Sequence, residues 1–499
     1  MSPRETETHA SPNVVDLFAG CGGLSLGFAW AGCLVRAAVE IDADAARTHH
    51  ENFKGTTDKG ADYSWNITSR DTPRYLETKL AGASLDILIG GPPCQAFARI
   101  GRAKLREVAR GRGDISAEQA HLEDDRGQLW RHYMNAVRHF KPRAILMENV
   151  PDILNQGGTN VVEQIREKLH GLDYESSYTL LNAAHYGVPQ YRERMFLVAF
   201  HKSVDFAPDA WLPPATHHAK LPVGYRGTRS VATKVARNGE AHGFIWHAGL
   251  QESADLLPSA QDSSRSTRLS EATTAAQAFS GIPHLDAAAR GRGIRRLQPA
   301  DNDPTYARGL SAYVRALNGR PSPRNCSVDK QLSAHVTRHL PRDGQIFERM
   351  IPGQDYVGRG NPVATGARPV QDIAVDLLAG GLIDREVPYA DDKFPNKWWR
   401  MREDRPSRTL TAHMGKDTYS HIHPTEPRTI SVREAARLQS FPDWFRFPCS
   451  MNAGFRMIGN AVPPLLAEAI ANQIVAVLNR GANKTGRKTR DDESATACS

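Results

Sequence analysis

The chain has 499 residues, a hydrophobic share of 40% and a formal net charge of +8. This length allows a large core in roughly two to four domains. Six irregularly spaced cysteines argue against a disulfide framework, which indicates a reducing, cytoplasmic setting. The polar start and the lack of any apolar run near ~18 residues exclude a signal peptide and a membrane span, whereas the pI of about 9.1 favours a polyanionic partner.

The first predicted element is a short strand that enters a glycine-rich turn within residues 14–28, after twelve residues that we predict to be disordered. The glycines, which begin at Gly20, match neither a G-x-G-x-x-G dinucleotide loop nor a phosphate-binding P-loop. A second strand, at residues 34–39, ends at Glu40, where a carboxylate can accept hydrogen bonds from both hydroxyls of a ribose. The pattern indicates a nucleoside without a diphosphate, such as S-adenosylmethionine, although a tight turn beside a solvated Glu would give the same pattern.

A thiol follows a later buried strand. Residues 65–68 predict a third strand end, and residues 85–94 predict a fourth strand that runs into Gly90-Gly91-Pro92-Pro93-Cys94-Gln95. Open α/β sheets place their chemistry at the carboxyl ends of their strands, so Cys94 is a candidate nucleophile. A small buried cysteine in a tight turn is the alternative, and the hexapeptide alone leaves both open. Residues 96–125 then predict a long cationic loop, followed by an amphipathic helix at 126–140.

A carboxylate lies near the end of another buried strand. Residues 144–150 form an apolar run that closes with Glu148, and a helix is predicted after it at residues 159–170. Because the carboxyl ends of parallel strands meet at one edge, we expect Glu40, Cys94 and Glu148 to converge there.

Two further strands are predicted to pair at the end of this region. They cover residues 174–181 and 194–201. Gln190, Arg192 and Arg194 alternate along the chain, which predicts that their three side chains face one side.

Six sequence blocks together resemble the DNA (cytosine-5)-methyltransferase family of the bacterial restriction-modification type. They stand in the order expected for that family and cover roughly residues 14–200 and 428–480. The blocks are residues 16–28, 91–95 (Gly-Pro-Pro-Cys-Gln), 148–150 (Glu-Asn-Val), 190–194 (Gln-Tyr-Arg-Glu-Arg), 428–442, and 459–464 (Gly-Asn-Ala-Val-Pro-Pro).

The resemblance implies a fold class and a division of the chain. The fold is expected to be α/β, a Rossmann-like S-adenosylmethionine-dependent methyltransferase fold with a mostly parallel sheet, plus a separate target-recognition domain. The expected parts are a disordered N-terminus (1–12), a catalytic domain (13–200), the target-recognition domain (201–427), a return segment that completes the catalytic domain (428–480) and a disordered tail (481–499). The expected recognition domain carries 30 Lys and Arg against 24 Asp and Glu, a surplus that suits DNA.

The resemblance also implies a reaction, the transfer of a methyl group from S-adenosyl-L-methionine to carbon 5 of a cytosine flipped out of a specific double-stranded DNA sequence. Cys94 would attack carbon 6 and form a covalent adduct. Glu148 would hold ring nitrogen 3 as a proton donor, which requires a raised pKa. Arg194 would contact oxygen 2, and Arg192 would support the pocket.

By the same resemblance, a larger set of residues forms the cofactor pocket: Phe18, Gly20, Gly22, Glu40, Ile41, Asn66, Ile67, Pro92, Leu129, Asn460 and Val462. One position departs from the family, because Trp65-Asn66-Ile67 replaces the usual Gly-Asp-Ile, but an Asn oxygen can still accept from the adenine amine. His335 and His339 are spaced i, i+4 without the Glu of a zinc-protease helix or a cysteine pair, so no metal site is expected.

The expected partner is double-stranded DNA, the expected state is a monomer, and a companion restriction nuclease or another defence protein would fit the resemblance. Three rivals are a methyltransferase of tRNA cytosine, a sequence-specific DNA-binding protein that has lost catalysis, and, more distantly, a nicotinamide dehydrogenase. The long recognition region favours duplex DNA, and intact Cys94, Glu148 and Arg194 favour catalysis. A dehydrogenase would leave Cys94 and the two C-terminal blocks unexplained.

Overall fold

A six-stranded, mostly parallel sheet lies at the centre of the protein. The computed structural model describes residues 11–53, 56, 63–93, 129–155, 159–219, 227–237, 241–247, 250, 269–285, 296–297, 308–325, 332–353, 370–384 and 397–496. The strands are β1 (Asn13–Leu17), β2 (Leu34–Val39), β3 (Ile87–Gly90), β4 (Ala144–Asn149), β5 (Tyr174–Asn182) and β6 (Glu193–His201). Their order is β2-β1-β3-β4-β6-β5, and β6 runs antiparallel to both of its neighbours. The predicted fold class is confirmed.

Helices cover both faces of this sheet. The first five are α1 (Gly23–Trp30), α2 (Ala43–Asn52), α3 (Thr72–Leu80), α4 (Leu129–Phe140) and α5 (Val161–His170). Val15 and Leu17 of β1 pack into the apolar cluster that contains residues of α3, α4 and α5, whereas Val14 packs with residues of α1. This alternation follows from the two-residue repeat of a strand. Each face of the sheet therefore has its own core.

The segment predicted as a third strand end, at residues 65–68, forms no strand, and that expectation was wrong. The Trp65 ring stacks on Tyr75 with centroids 4.2 Å apart. The Asn66 side chain accepts from the Thr68 backbone N–H at 3.0 Å. An Asn that bonds to nearby backbone in this way favours a turn over strand pairing, so the chain turns here before α3.

The middle of the chain, predicted as the recognition domain, holds short elements around smaller clusters. Its described elements are α6 (Gly227–Arg237), α7 (Ala275–Phe279), α8 (Ala312–Asn318), α9 (Pro341–Arg349), α10 (Val370–Ala379), β7 (His217–His218), β8 (Ser270–Glu271), β9 (Arg296–Leu297) and β10 (Thr337–Arg338). Phe347, Trp398 and Tyr419 belong to a cluster formed within this region. Trp211, in contrast, packs into the cluster around α1. Apolar packing thus crosses the boundary predicted at residue 200, and the domain limits stay a prediction.

The return segment folds back onto the catalytic sheet. It contains α11 (Val432–Leu438), α12 (Met451–Asn460) and α13 (Pro464–Thr496). Arg437 and Asp443 are fully buried and form two hydrogen bonds of 2.8 Å, which fix the chain after α11. Helix α13 lies close to α1, since a Cβ added at Gly27 would be 2.4 Å from the Ala467 Cβ.

Helix α13 extends beyond residue 480, where the return segment was predicted to end. We expected a disordered tail over residues 481–499, and the structure instead continues the helix to Thr496. Elongation of an existing helix adds one hydrogen bond per residue, so it needs no apolar face of its own. The low hydrophobicity of these residues therefore does not mark the end of the helix.

One stretch in the described part of the chain, Met451–Arg480, meets the length and hydropathy of a membrane-spanning helix. It comprises α12 and the first half of α13, and 67% of its apolar window is buried inside the protein. Leu466, Ile470 and Ile474 lie in the cluster that also contains Phe28. Core helices pass the same test, so this stretch is weak evidence for a membrane span.

Candidate functional site

The loop between β1 and α1 turns through three residues with positive φ. These are Phe18 (61°), Gly20 (56°) and Gly22 (98°). A side chain at Gly22 would collide with its surroundings, because an added Cβ would lie 2.6 Å from the Phe53 ring. The chain must therefore have glycine at this position to bring α1 this close to α2. Below, residues 18–22, where the sequence predicts cofactor contacts, are called the cofactor loop.

Glu40 joins β2 to this loop. Its Oε2 accepts from the Gly20 backbone N–H at 2.8 Å, and its Oε1 accepts from the Asp42 N–H at 2.7 Å. Burial raises the pKa of Glu40, while these two backbone donors oppose that rise. Next to it, Ile41 is 66% exposed. A fixed carboxylate beside an exposed apolar side chain is suited to the ribose and base of a nucleoside.

Asn66 and Ile67, predicted beside the adenine, already have contacts within the protein. The Asn66 Oδ1 accepts from both the backbone N–H and the hydroxyl of Thr68, at 3.0 and 2.9 Å. The Ile67 side chain is buried in the core. Since an amide oxygen has two lone pairs, an adenine amine would have to displace one of the Thr68 donors.

Leu129 and Val462 approach the loop from two other elements. Phe18 and Leu129 are partly buried against the same apolar cluster. The Val462 carbonyl oxygen lies 2.2 Å from the position of a Cβ added at Gly23, so the return segment touches the start of α1. Asn460, exposed, ends α12 just before this contact. Val462, from the C-terminal part of the chain, thus lies next to the cofactor loop near the N-terminus, as the sequence predicted.

A second carboxylate lies at the same edge of the sheet, on β4. Glu148 Oε1 is 3.1 Å from the Arg194 Nε, and their side chains are 12% and 14% exposed. Burial raises the pKa of Glu148, and the charges of Arg194 and Arg192 oppose the rise. A Cβ added at Gly91 would lie 2.9 Å from Glu148 Oε2. The segment after β3 therefore passes directly beside this carboxylate.

Asn149 ties that segment to β4, a contact that the sequence reasoning missed. Its Nδ2 donates to the Pro92 carbonyl at 3.2 Å, and its Oδ1 accepts from the Val150 N–H at 2.9 Å. An Asn directly after the strand-ending Glu was the available signal. Pro92 is thereby held one strand away from Glu148, two residues before Cys94. Cys94 itself lies outside the described residues.

Arg192 and Arg194 bond to different partners, although the charges of both act on Glu148. That Gln190, Arg192 and Arg194 all face one side stays a prediction. Arg192 is buried and donates to the carbonyls of Leu410 and Gly459, at 2.8 and 3.1 Å. Gln190 accepts from the Leu410 N–H at 2.8 Å. Arg192, directly before β6, thus connects the sheet to Leu410 and to Gly459 of the return segment.

Within the described residues, no group of three or more His, Cys, Asp or Glu side chains is arranged to hold a metal ion. His335 is buried and bonds to the Ser431 hydroxyl and the Pro283 carbonyl, each at 2.8 Å. Burial lowers its pKa to about 4. His335 is therefore a core histidine with both ring nitrogens engaged.

Comparison with known proteins gives one consistent family. The model of the C-5 cytosine-specific DNA methylase family matches residues 12–282 and 355–476. A protein of Oceanobacillus iheyensis that carries the name of a type II methyltransferase is 34% identical over 471 residues, which cover 92% of this chain and 94% of that protein. The type II methyltransferase M.AgeI of Thalassovita gelatinovora is 29% identical, with 93% of this chain and 99% of that protein covered.

One solved structure supports the fold. It is an E. coli protein described as a prophage-encoded DNA modification methyltransferase, which matches with a TM-score of 0.54 at 23% identity over 94% of this chain and 100% of that one. The family match spans the sheet, the cofactor loop, the Glu148–Arg194 pair and the return segment. The chain therefore belongs to the C-5 cytosine-specific DNA methylase family and is a DNA (cytosine-5)-methyltransferase.

Proposed function

We propose that the chain methylates carbon 5 of a cytosine flipped out of a specific double-stranded DNA sequence, with S-adenosyl-L-methionine as methyl donor and Cys94 as covalent nucleophile. The observation that carries this proposal is the Glu148–Arg194 pair, at 3.1 Å, beside Gly91. A buried carboxyl with a raised pKa can donate a proton to ring nitrogen 3 of cytosine. The adjacent guanidinium suits the neighbouring oxygen 2 of the same ring.

The chemistry needs both a nucleophile and an acid. The Cys94 thiolate adds to carbon 6 while Glu148 protonates nitrogen 3, so the ring loses its aromaticity and carbon 5 becomes nucleophilic. S-adenosylmethionine, when bound, would supply the methyl group to carbon 5 as an electrophile, with S-adenosyl-L-homocysteine as the leaving group. Carbon 5 then loses its proton to a base, the bond between sulfur and carbon 6 breaks, and the double bond re-forms. Glu148 recovers its proton and Cys94 leaves as the thiolate.

The cofactor loop and the residues around it fit this methyl donor. Glu40 is fixed by two backbone N–H groups and keeps lone pairs for the ribose hydroxyls. Exposed Ile41 offers an apolar face to the adenine. Phe18, Leu129 and Val462 close the sides. The sequence of the loop lacks the Gly-Lys-Ser/Thr ending of a phosphate-binding P-loop, which agrees with a nucleoside that carries no phosphate.

Partners follow from the family and its relatives. A stacked base is out of reach of Glu148, so the target cytosine must leave the duplex, and residues 201–427 would read the sequence around it. Relatives named as type II methyltransferases favour a companion restriction nuclease. We further infer a monomer that acts in the cytoplasm.

Trapping with 5-fluorocytosine tests the mechanism, because fluorine at carbon 5 cannot leave as a cation and the adduct persists. Duplex DNA carrying this base, incubated with S-adenosylmethionine, should yield a covalent complex with the wild-type chain. Cys94→Ser should form none and should turn over no substrate, yet should bind DNA and cofactor like the wild type. Cys498→Ser is the matched control and should behave like the wild type. A Cys94→Ser variant with normal turnover, or adducts formed with tRNA but not with DNA, would contradict the proposal.

A further inference from the structure

A buried chain of polar side chains lies directly beneath the cofactor loop. The Ser25 hydroxyl donates to Asp16 Oδ2 at 2.6 Å and lies 3.0 Å from the His49 Nε2. The His49 Nδ1 lies 3.2 Å from the Thr56 hydroxyl. Asp16, Ser25, Thr48 and His49 are all 0% exposed and Thr56 is 1% exposed. We call Asp16, Ser25, His49 and Thr56 the loop relay.

The direction of each bond in the loop relay follows from counting protons. Ser25 has a single hydroxyl proton, and the short contact directs it to Asp16. Ser25 must then accept from His49, so the proton of the neutral imidazole is on Nε2. The bare Nδ1 accepts from Thr56 in turn. Burial lowers the pKa of His49 to about 3, which keeps the ring neutral and this arrangement in place.

The loop relay joins both ends of the cofactor loop. Asp16 precedes the loop on β1, and Ser25 follows it in the first turn of α1. The His49 ring lies against the loop itself, since a Cβ added at Gly22 would be 3.0 Å from its Cδ2. His49 also stacks on Phe53 with centroids 4.4 Å apart. The loop is thus held from below by His49 and from the side by Glu40.

Asp16 depends on this chain for its position. Its Oδ1 is buried without a hydrogen-bond partner among the described residues, so the Ser25 bond is the contact that orients the carboxyl. Burial raises the pKa of Asp16 to about 7, as expected for a carboxyl that has so few donors. Loss of the Ser25 hydroxyl would remove the side-chain bond to the carboxyl, and loss of His49 would leave the Ser25 hydroxyl without its second partner.

We propose that Ser25 and His49 are positioning residues for the cofactor: the loop relay holds residues 18–22 in the conformation that binds S-adenosylmethionine. This inference rests on the proposed function, which assigns the loop to that cofactor. Neither side chain would touch the reacting atoms. Loss of the relay should therefore weaken cofactor binding and leave the chemical step nearly unchanged.

Binding and turnover measured on the same variants test this inference. In Ser25→Ala and His49→Leu, the Kd for S-adenosylmethionine, measured by calorimetry, should rise about tenfold, the order expected for a lost buried hydrogen bond. His49→Gln can still donate to Ser25 and should lose only about threefold. At saturating cofactor, kcat should stay within about twofold of the wild type. His50→Leu, on the same helix but outside the relay, is the control and should bind normally.

A double-mutant cycle decides whether the residues act as one unit. The double variant Ser25→Ala/His49→Leu should bind S-adenosylmethionine no more weakly than the weaker-binding single variant, because either change already removes the Ser25–His49 hydrogen bond. Additive losses, or a His49→Leu variant that binds like His50→Leu, would overturn the inference. If the buried changes prevent folding, Thr56→Val removes the outer bond with little change in volume and should raise Kd about threefold. An unchanged Kd there would also overturn it. A wild type that binds no S-adenosylmethionine would instead refute the proposed function.

Discussion

Two glutamates lie at the same edge of the sheet, one directly after β2 and one on β4, but they are held in different ways. Glu40 has a backbone N–H on each oxygen, from Gly20 and Asp42. Glu148 has a side-chain cation, Arg194, on the adjacent antiparallel strand. Burial raises the pKa of both. Backbone donors are rigid, so Glu40 suits holding a ligand in place. Glu148 is held by a side chain instead, and its interaction with the guanidinium can adjust as the carboxyl gains or loses its proton during the reaction.

Replacing the acid should have the largest effect. In Glu148→Gln the side chain keeps its shape but cannot protonate nitrogen 3, so kcat should fall about 10³-fold, within the usual range for a lost general acid. The Kd for S-adenosylmethionine should stay unchanged, as measured by calorimetry. Glu175→Gln, an exposed carboxylate on β5, is the control and should retain full activity. Loss of cofactor binding in Glu148→Gln would break the proposed division between the two glutamates.

Removing the cation should have the next largest effect and should change the pH profile. Arg194→Met takes away the charge that lowers the pKa of Glu148, so that pKa should rise further. Activity needs protonated Glu148 and is lost as the pH rises through its pKa. The alkaline limb of the kcat profile should therefore move to higher pH, while kcat itself falls about 10²-fold because the oxygen 2 contact is gone. A limb that moves to lower pH would refute this pairing.

Glu40 should give the opposite pattern. Glu40→Gln places an NH₂ group against one of the two backbone donors, so one hydrogen bond is lost and the loop is held less firmly. The Kd for S-adenosylmethionine should rise about tenfold. At saturating cofactor, kcat should remain within about twofold of the wild type. A fall in kcat as large as that of Glu148→Gln would show that the two glutamates do not divide binding from chemistry.

The smallest effect is expected at Ile41. Its exposed side chain would cover the adenine, and truncation in Ile41→Ala removes apolar contact without altering any hydrogen bond. The Kd for S-adenosylmethionine should rise about threefold to tenfold, with kcat unchanged. Leu34→Ala, an exposed apolar side chain at the other end of β2, is the matched control. Equal effects of the two changes would argue against an adenine face at Ile41.

The sequence predicted those parts of the molecule whose signal is local. The apolar runs before Glu40, Gly91 and Glu148 identified three parallel strands, because buried strands are written as continuous apolar segments. The segment at Trp65 was misread, since an aromatic and a β-branched residue suggest a strand but Asn66 makes a turn. The roles of Glu148 and Arg194 came from motif resemblance, and their contact supports them.

Contacts between residues far apart in the chain could not be predicted from the sequence. Nothing near His49 in the sequence indicates that it bonds to Ser25, 24 residues earlier. Arg192 was expected to support the pocket, but its bonds to Leu410 and Gly459 join segments more than 200 positions apart. Such partners become visible only when the chain has folded, because burial and pairing depend on the whole sheet.

The close contact of α1 with α13 has a consequence for how the protein is made. Gly27 allows α1 to touch Ala467, hundreds of residues later, and Val14 and Phe28 share their apolar cluster with Leu466 and Ile470. During synthesis the first strand and helix leave the ribosome long before α13 does. One face of the nascent sheet therefore stays open to water until translation has passed residue 478. The contact of Val462 with the start of α1 also has to wait for this late part of the chain.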